Sequence, residues 1–434
     1  MFRTLRSGLL LLALTLVLGT GISSLAATKI TVWGWKAAMD VVRQVLPDFL
    51  AAYPDIEVEI VEISPADVYQ NLPIALSAGV GAPDVSLIEN SHLSQFVDLG
   101  GLLDITDRVQ PYMEVMNDYK WADARDAAGR IYALPWDSGP VVTYYRRDIF
   151  EAAGLPSDPE AVNELISTWE QFYAVCQAIV AQTGHMCLPL NKANANNDYR
   201  LLEMILWQRG LGYIDPATGA VTIDSPEAIA TLEFVGRFWE NNLVSDEQAW
   251  TEGWYNGFAA TDQSAVATFT EASWMGVFLK TWIAPGTSGL WGVARMPAWE
   301  EGGVRAANDG GSAFAITNQG PNPDAAWTFI EFLLARNESQ LKMFAYSDFL
   351  PSLETTYSDP LFYEADPFFG GQPARLVYAQ VVQQIPVAGI YTPEYNEMNA
   401  TVSAEVQAFA AGQKTAAQAL QDAAQRIRDL TGRP

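Results

Sequence analysis

Basic residues and histidines are scarce in this chain of 434 residues. Lysine and arginine number 25 against 51 aspartates and glutamates, a formal net charge of −26. So acidic a surface repels phosphate backbones and argues against a nucleic-acid partner. His92 and His185 are the only histidines. They leave little material for a His-rich metal site or a His-dependent triad, so no metal and no cofactor is expected. Catalytic signatures are missing as well. There is no Gly-x-Ser-x-Gly elbow, no phosphate loop ending Gly-Lys-Ser/Thr, no His-Glu-x-x-His and no EF-hand loop. Gly79-x-Gly81 runs into Asp84 instead of a third glycine, so a dinucleotide fingerprint fails. A glycosidase pair among the many carboxylates stays open, because its spacing is a three-dimensional property. Beyond the N-terminus no apolar stretch is long enough to span a bilayer, and no Ser/Gly/Pro linker or repeat divides the chain.

The first residues do carry a pattern. Arg3 and Arg6 precede an apolar run from Gly8 to Leu18, followed by small residues at Gly19, Gly21, Ser23, Ser24, Ala26 and Ala27. This is the tripartite layout of a secretory signal peptide over residues 1–26, cleaved after Ala26 or Ala27. The run is shorter than the ~20 residues of a spanning helix. The alternative is an uncleaved anchor. No cysteine stands near the cleavage site to take a lipid. Export to an oxidising space would allow a short-loop disulfide between Cys176 and Cys187, the only cysteines; two buried thiols are the alternative.

Lys29 to Trp33, Ile56 to Ile63 and Asp84 to Ile88 read as strands. Between them, helices run from about Val41 to Leu50 and from Ala66 to Ala78. This β-α-β-α-β order predicts a mainly parallel sheet with helices on both faces. Further strands are expected at Ile131–Leu134, Val141–Tyr145, Ala265–Phe269, Leu290–Ala294 and Ala313–Ile316. Ser167-Thr168-Trp169-Glu170 reads as a capping box and Ser225-Pro226 as a helix start. Late helices are expected at Pro323–Arg336, Glu394–Ala411 and Gln413–Leu430. At least two α/β regions without a linker argue for lobes packed face to face.

Fourteen Trp, 17 Tyr and 19 Phe are a large stock of flat rings. Many stand at strand ends and turns together with amides and carboxylates: Trp33-Gly34-Trp35-Lys36, Glu89-Asn90, Trp136-Asp137, the amide-rich Asn191–Asp198, Trp250 to Tyr255, Trp274, and Asn308-Asp309-Gly310-Gly311. In open α/β sheets ligands sit beyond the carboxyl ends of the strands. Flat rings cover C–H faces there, and carboxylates and amides bond hydroxyls, a mixture that suits a sugar. Trp239 and Trp327, inside helical patterns, are assigned to the core. The Tyr144-Tyr145 pair could ligate ferric iron, but a strand with aromatics on both faces is the expected reading.

Several short motifs occur in a characteristic order: Ile30-Thr-Val-Trp-Gly-Trp35, Gly81-Ala-Pro-Asp84-Val, Tyr132-Ala-Leu-Pro135 followed by Tyr144-Tyr-Arg-Arg-Asp-Ile-Phe150 and Ala153-Gly154-Leu, Thr168-Trp169-Glu170, the segment Ala265–Trp274, and the helices Ala325–Leu333 and Gly412–Leu430. In them the chain resembles the extracellular solute-binding proteins of bacterial carbohydrate ABC transporters (family 1), the group of maltose-binding and multiple-sugar-binding proteins. Arg146 stands where that family usually has Asn after Tyr, and the small-residue pattern before Trp274 is looser.

The resemblance implies an α/β, two-lobed periplasmic-binding-protein fold of type II, maltose-binding-protein-like, with a cleft between the lobes. The expected N-terminal lobe is 27–143 plus 311–357, and the C-terminal lobe 144–310 plus 358–434. Crossings are expected near Val142–Tyr145, Ala307–Gly311 and Ser347–Ser358. It implies an exported, non-enzymatic receptor that closes by a hinge around a di- or oligosaccharide and delivers it to membrane permease subunits, meeting the membrane only through them, as a monomer. A receptor for ferric iron or a polyamine is the alternative. The ligand residues it points to are Trp35, Lys36, Glu89, Asn90, Trp136, Asp137, Asn194, Asn197, Trp250, Glu252, Trp274, Asp309 and Gly310.

Overall fold

A computed structural model describes residues 27–192, 200–386 and 391–434. Residues 1–26 lie outside the described residues. The first sheet orders its strands β2-β1-β3-β11-β4, with β1 Thr28–Gly34, β2 Ile56–Glu62, β3 Val85–Glu89, β4 Ala133–Pro135 and β11 Ser312–Ile316. The strand β1 runs parallel to β2 and β3, pairing Val32 with Ile60 and Val85. The expected mainly parallel sheet stops there. β11 lies antiparallel to both β3 and β4, with Phe314 opposite Leu87 and Leu134. Its direction follows from where it enters: Ser312 pairs with Glu89, so β11 arrives at the edge where the parallel strands end. A strand entering at that edge must run back against them.

Helices cover this sheet. One of them, Pro65–Ala78, starts on Ser64, whose hydroxyl accepts from Asp67 N (3.1 Å), with Pro65 in the first turn. It ends on Gly79 at φ +72°, the left-handed C-cap that glycine adopts at least cost. Strands β1, β3, β4 and β11 bury their apolar faces with Phe49, Trp327 and Phe329 in one core.

The second sheet is antiparallel throughout. Its middle strand, β6 Val141–Arg146, lies between β9 Thr268–Ala272 and β10 Trp291–Arg295. Tyr144 and Tyr145 are fully buried and face opposite cores. Tyr144 donates to Ala272 O (3.0 Å) and Tyr145 to Ser157 O (2.8 Å). Hydroxyls turned to opposite faces and each held by a carbonyl cannot converge on iron. β9 begins three residues later than the sequence pattern predicts. The capping box belongs to Thr168 and Gln171, not to the Ser167–Glu170 register: Gln171 N donates to Thr168 Oγ1 (3.3 Å), and Thr168 N donates to Gln171 Oε1 (3.0 Å). Spacing alone could not separate two adjacent hydroxyl residues. Ser225 caps the helix Pro226–Glu240 as expected. Cys176 and Cys187 are disulfide-bonded, Cα–Cα 5.1 Å, tying the helix Trp169–Thr183 to the short parallel pair β7 Leu188–Pro189 and β8 Val244–Ser245. Trp239 and Trp327 are buried in the two cores.

Between the sheets the chain passes three times, side by side. β5 Asp137–Ser138 pairs with β12 Leu350–Pro351. Asp309 N donates to Gly139 O (2.8 Å), Gly139 N to Asn308 Oδ1 (3.1 Å) and Val141 N to Ala307 O (2.9 Å). Val142–Tyr145, expected as a crossing, is instead the interior of β6. Two of the passages lie tightly together at Gly139, where an added Cβ would lie 2.0 Å from Asp309 O. Backbone cannot move aside as a flexible side chain can. Gly139→Ala is therefore expected to cost about 3 kcal/mol, read as a lower urea midpoint at unchanged slope. A loss below ~0.5 kcal/mol would mean that the passages separate freely.

Candidate functional site

The carboxyl ends of β1 and β3, the turn into β5 and the entry to β11 open onto one cavity of about 380 Å³. From the first sheet's side it is lined by Trp35, Glu89, Trp136, Asp137 and Gly310. Trp250, Trp274, Arg200 and Phe278 close it from the second sheet's side. A smaller hollow of about 70 Å³ adjoins it, sharing Arg200, Trp250 and Trp274 and adding Trp254, Thr270 and Glu271.

Trp250 holds φ +64°. A bulky side chain in the left-handed region costs roughly 1–3 kcal/mol, which the surroundings must impose. The residue is 40% exposed, with its indole against Trp274 (6.1 Å between centroids, 21° between planes) and Trp254 (5.2 Å). Trp274 opens the helix Trp274–Phe278, and its Nε1–H donates to Asp309 O (3.0 Å). Gly310 follows at φ +73°, where a Cβ would lie 3.3 Å from that nitrogen.

Asp309 itself is buried and turned away from open space. Arg200 Nη1 donates to both its carboxylate oxygens (2.6 Å each). Glu271 lies beside it, and burial, reinforced by the Asp309 charge, pushes its carboxyl well up. The two buried acids thus lie side by side near one guanidinium. On the opposite wall, burial pushes Glu89 up, but hydrogen bonds from His92 and Ser91 outweigh it and hold its carboxyl down. The Tyr69 ring stacks on His92 at 3.6 Å. Asp137 accepts from Ser312 N (2.7 Å), and burial pushes its carboxyl up to about 6.

Seven of the thirteen sequence-based ligand residues thus line the cavity, while Asp309 braces it from behind. Asn90 does not reach it: its amide is buried between Lys120 Nζ and Asp123 Oδ2, 2.7 Å from each. Lys36 is turned to solvent, pairing with Asp40 one helical turn on (2.7 Å). Glu252 is exposed in the first turn of the helix Glu252–Ala259, outside the cavity. Asn194 and Asn197 lie outside the described residues. Sequence reasoning missed Arg200, Tyr69, Glu271, Phe278 and Phe349. One signal existed: Phe278 stands four residues after Trp274, on the same helix face.

Behind this site lies Glu203, buried and accepting from Tyr213 and Tyr395 (2.9 Å from the latter). Burial pushes its carboxyl up to about 7 despite those bonds. A carboxyl raised on folding adds stability that is complete below the unfolded value and is lost as pH rises through the folded one. Stability should therefore fall by up to about 3 kcal/mol between roughly pH 4.5 and 7 from this group. Glu203→Gln should remove that part of the slope in urea titrations. Parallel pH profiles for the two chains would refute it.

Two α/β bodies, three adjoining passages and a cleft lined from both sides define a two-lobed binding protein of the maltose-binding type. The chain belongs to the bacterial extracellular solute-binding protein family, which matches residues 34–337. A lactose-binding protein of Rhizobium radiobacter is 27% identical over 89% of both chains. An arabinooligosaccharide-binding protein of Halalkalibacterium halodurans is 27% identical over 90% of this chain and 87% of its own. Among solved structures, an ABC-transporter-associated binding protein of B. animalis subsp. lactis, in complex with β-1,6-galactobiose, superposes with a TM-score of 0.76 at 23% identity, covering 93% of this chain and 97% of that one. The sugar-binding protein MalE of Xanthomonas citri superposes with a TM-score of 0.78 at 21% identity, covering 93% and 97%. Among the described residues no helix is long and apolar enough to cross a membrane.

Proposed function

We propose that this chain is the sugar-capturing component of an ABC importer. The carrying observation is the pairing of the Trp250 and Trp274 faces on one wall with Glu89 and Asp137 on the other. Flat rings cover the C–H face of a sugar while carboxylates accept from its hydroxyls. Binding that touches both walls favours the closed arrangement and so shifts an open–closed equilibrium. The lactose- and arabinooligosaccharide-binding relatives support a di- or oligosaccharide.

In this reading residues 1–26 direct export, and the mature chain works outside the cytoplasmic membrane as a monomer. It delivers its sugar to permease subunits and turns nothing over. The lobes follow the boundaries drawn from the sequence, with the first moved from 143 to about 139, because β6 pairs wholly within the second sheet.

A thermal-shift screen against mono- and oligosaccharides, with Fe³⁺ and polyamines as controls, tests the reading. A sugar at a hundred times its Kd should add ~2.7 kcal/mol of stability. A shift with one sugar series and no product supports a transport receptor. A shift only with iron or polyamine removes the carbohydrate assignment, and product formation removes the receptor.

A further inference from the structure

The cleft's aromatic wall does not stop at the cavity. The helix from Trp274 continues as a π turn, Leu279–Ile283, closed by Ala284 N–H donating to Leu279 O (3.0 Å). An α turn carries position i+4 slightly past its start, and the wider π turn leaves it slightly short. The two steps offset each other, so Trp274, Phe278 and Trp282 form one row, with neighbouring ring centroids 5.5 and 5.7 Å apart. The far end is Trp282, 49% exposed and packed on one side by Tyr255 (5.1 Å). Glu252 and Asn256, both exposed, share the Tyr255 helix, Glu252 three residues before Tyr255 and Asn256 directly after it. Outside the cavity there is thus a half-exposed indole, continuous with the rings inside.

We propose that Trp282 is an outer sugar subsite, and that the ligand is a linear oligosaccharide longer than a disaccharide whose chain leaves the cleft along Trp274, Phe278 and Trp282. This rests on the sugar reading above. Rings spaced at about one sugar unit suit successive units of a single chain, whereas a compact ligand would leave Trp282 uncovered. The occupant is a continuation of the cleft's own ligand, because the row joins the cavity without a break. Each added unit reaching a ring should tighten binding, and the unit on Trp282 by roughly three- to tenfold, the worth of one aromatic contact.

The test is calorimetric titration of arabino-, galacto- and malto-oligosaccharides from two to six units. For the series that binds, Kd should fall with length and then level off. In Trp282→Ala the last increment of three- to tenfold should vanish, and Trp282→Phe, which keeps a ring, should restore part of it. The proposal is overturned if the disaccharide binds as tightly as the hexasaccharide, or if Trp282→Ala keeps the full gain with length. The latter holds even where uptake falls, since Trp282 would then face a permease. In both cases the sugar reading stands. If no series binds at any length, the sugar reading fails, and this proposal with it.

Discussion

Trp274→Ala should raise the Kd for the best sugar of the screen by roughly thirty- to a hundredfold, the range of a central aromatic anchor. Two losses combine. The indole is the middle ring between Trp250 (6.1 Å) and Phe278 (5.5 Å), so its removal opens the stacking wall where it is most enclosed. Its Nε1–H also holds Asp309 O (3.0 Å), fixing the turn through which the chain enters β11. Trp274→Phe separates them: the ring stays and the bond to the turn goes. That variant should lose about tenfold, since a buried carbonyl is left unpaired. Isothermal titration of both variants checks the pair. If both bind within threefold of the native chain, the sugar does not rest on this wall.

The sequence made the first sheet legible where neighbours in space are neighbours in sequence. β1, β2 and β3 follow one another with a helix between each, and alternation or apolar runs mark all three. It could not show β11 between β3 and β4, because that pairing joins Phe314 to Leu87 across more than two hundred residues. The site follows the same division. Trp35, Glu89, Trp136 and Asp137 were legible because strand ends and the turns after them point into the cleft. Lys36 and Asn90 failed one residue further on, where a helix has begun. Its first turn swings Lys36 out to Asp40 and Asn90 back into the core. Arg200 and Tyr69 come from helices, whose faces toward the cleft are set by lobe packing that no local pattern encodes. Glu271 sat two residues past the expected strand Ala265–Phe269, with nothing to distinguish it from a surface acid. Its buried partner Asp309 is distant in sequence.

The floor beneath Glu89 and Asp137 carries the largest expected stability effect. Lys120 is 1% exposed, and its ammonium donates to Asn90 Oδ1 (2.7 Å), whose own amide donates to Asp123 Oδ2 (2.7 Å). Burial pushes the Lys120 ammonium down and the Asp123 carboxyl up, while each opposes the shift of the other. Gly311, at φ +85°, lets the backbone pass close over this group: a Cβ there would lie 2.7 Å from both Lys120 Nζ and Asp137 O. Lys120→Met keeps the apolar stem but takes the donor from the Asn90 amide oxygen and the neighbouring positive charge from Asp123 and Asp137. The cost should be about 3–5 kcal/mol in urea unfolding, as when one partner of a buried pair is removed. Adding Asp123→Asn to that variant removes one stranded charge and should return at least ~1 kcal/mol, so the double-mutant cycle should show coupling of that size. Sugar binding should weaken in parallel, because Asn90 follows Glu89 directly and Asp137 lines the cleft. A loss below ~1 kcal/mol for Lys120→Met would mean that water reaches the acids once the lysine is gone. The floor would then be a solvated pocket, and the cleft walls would owe their positions to the aromatic packing alone.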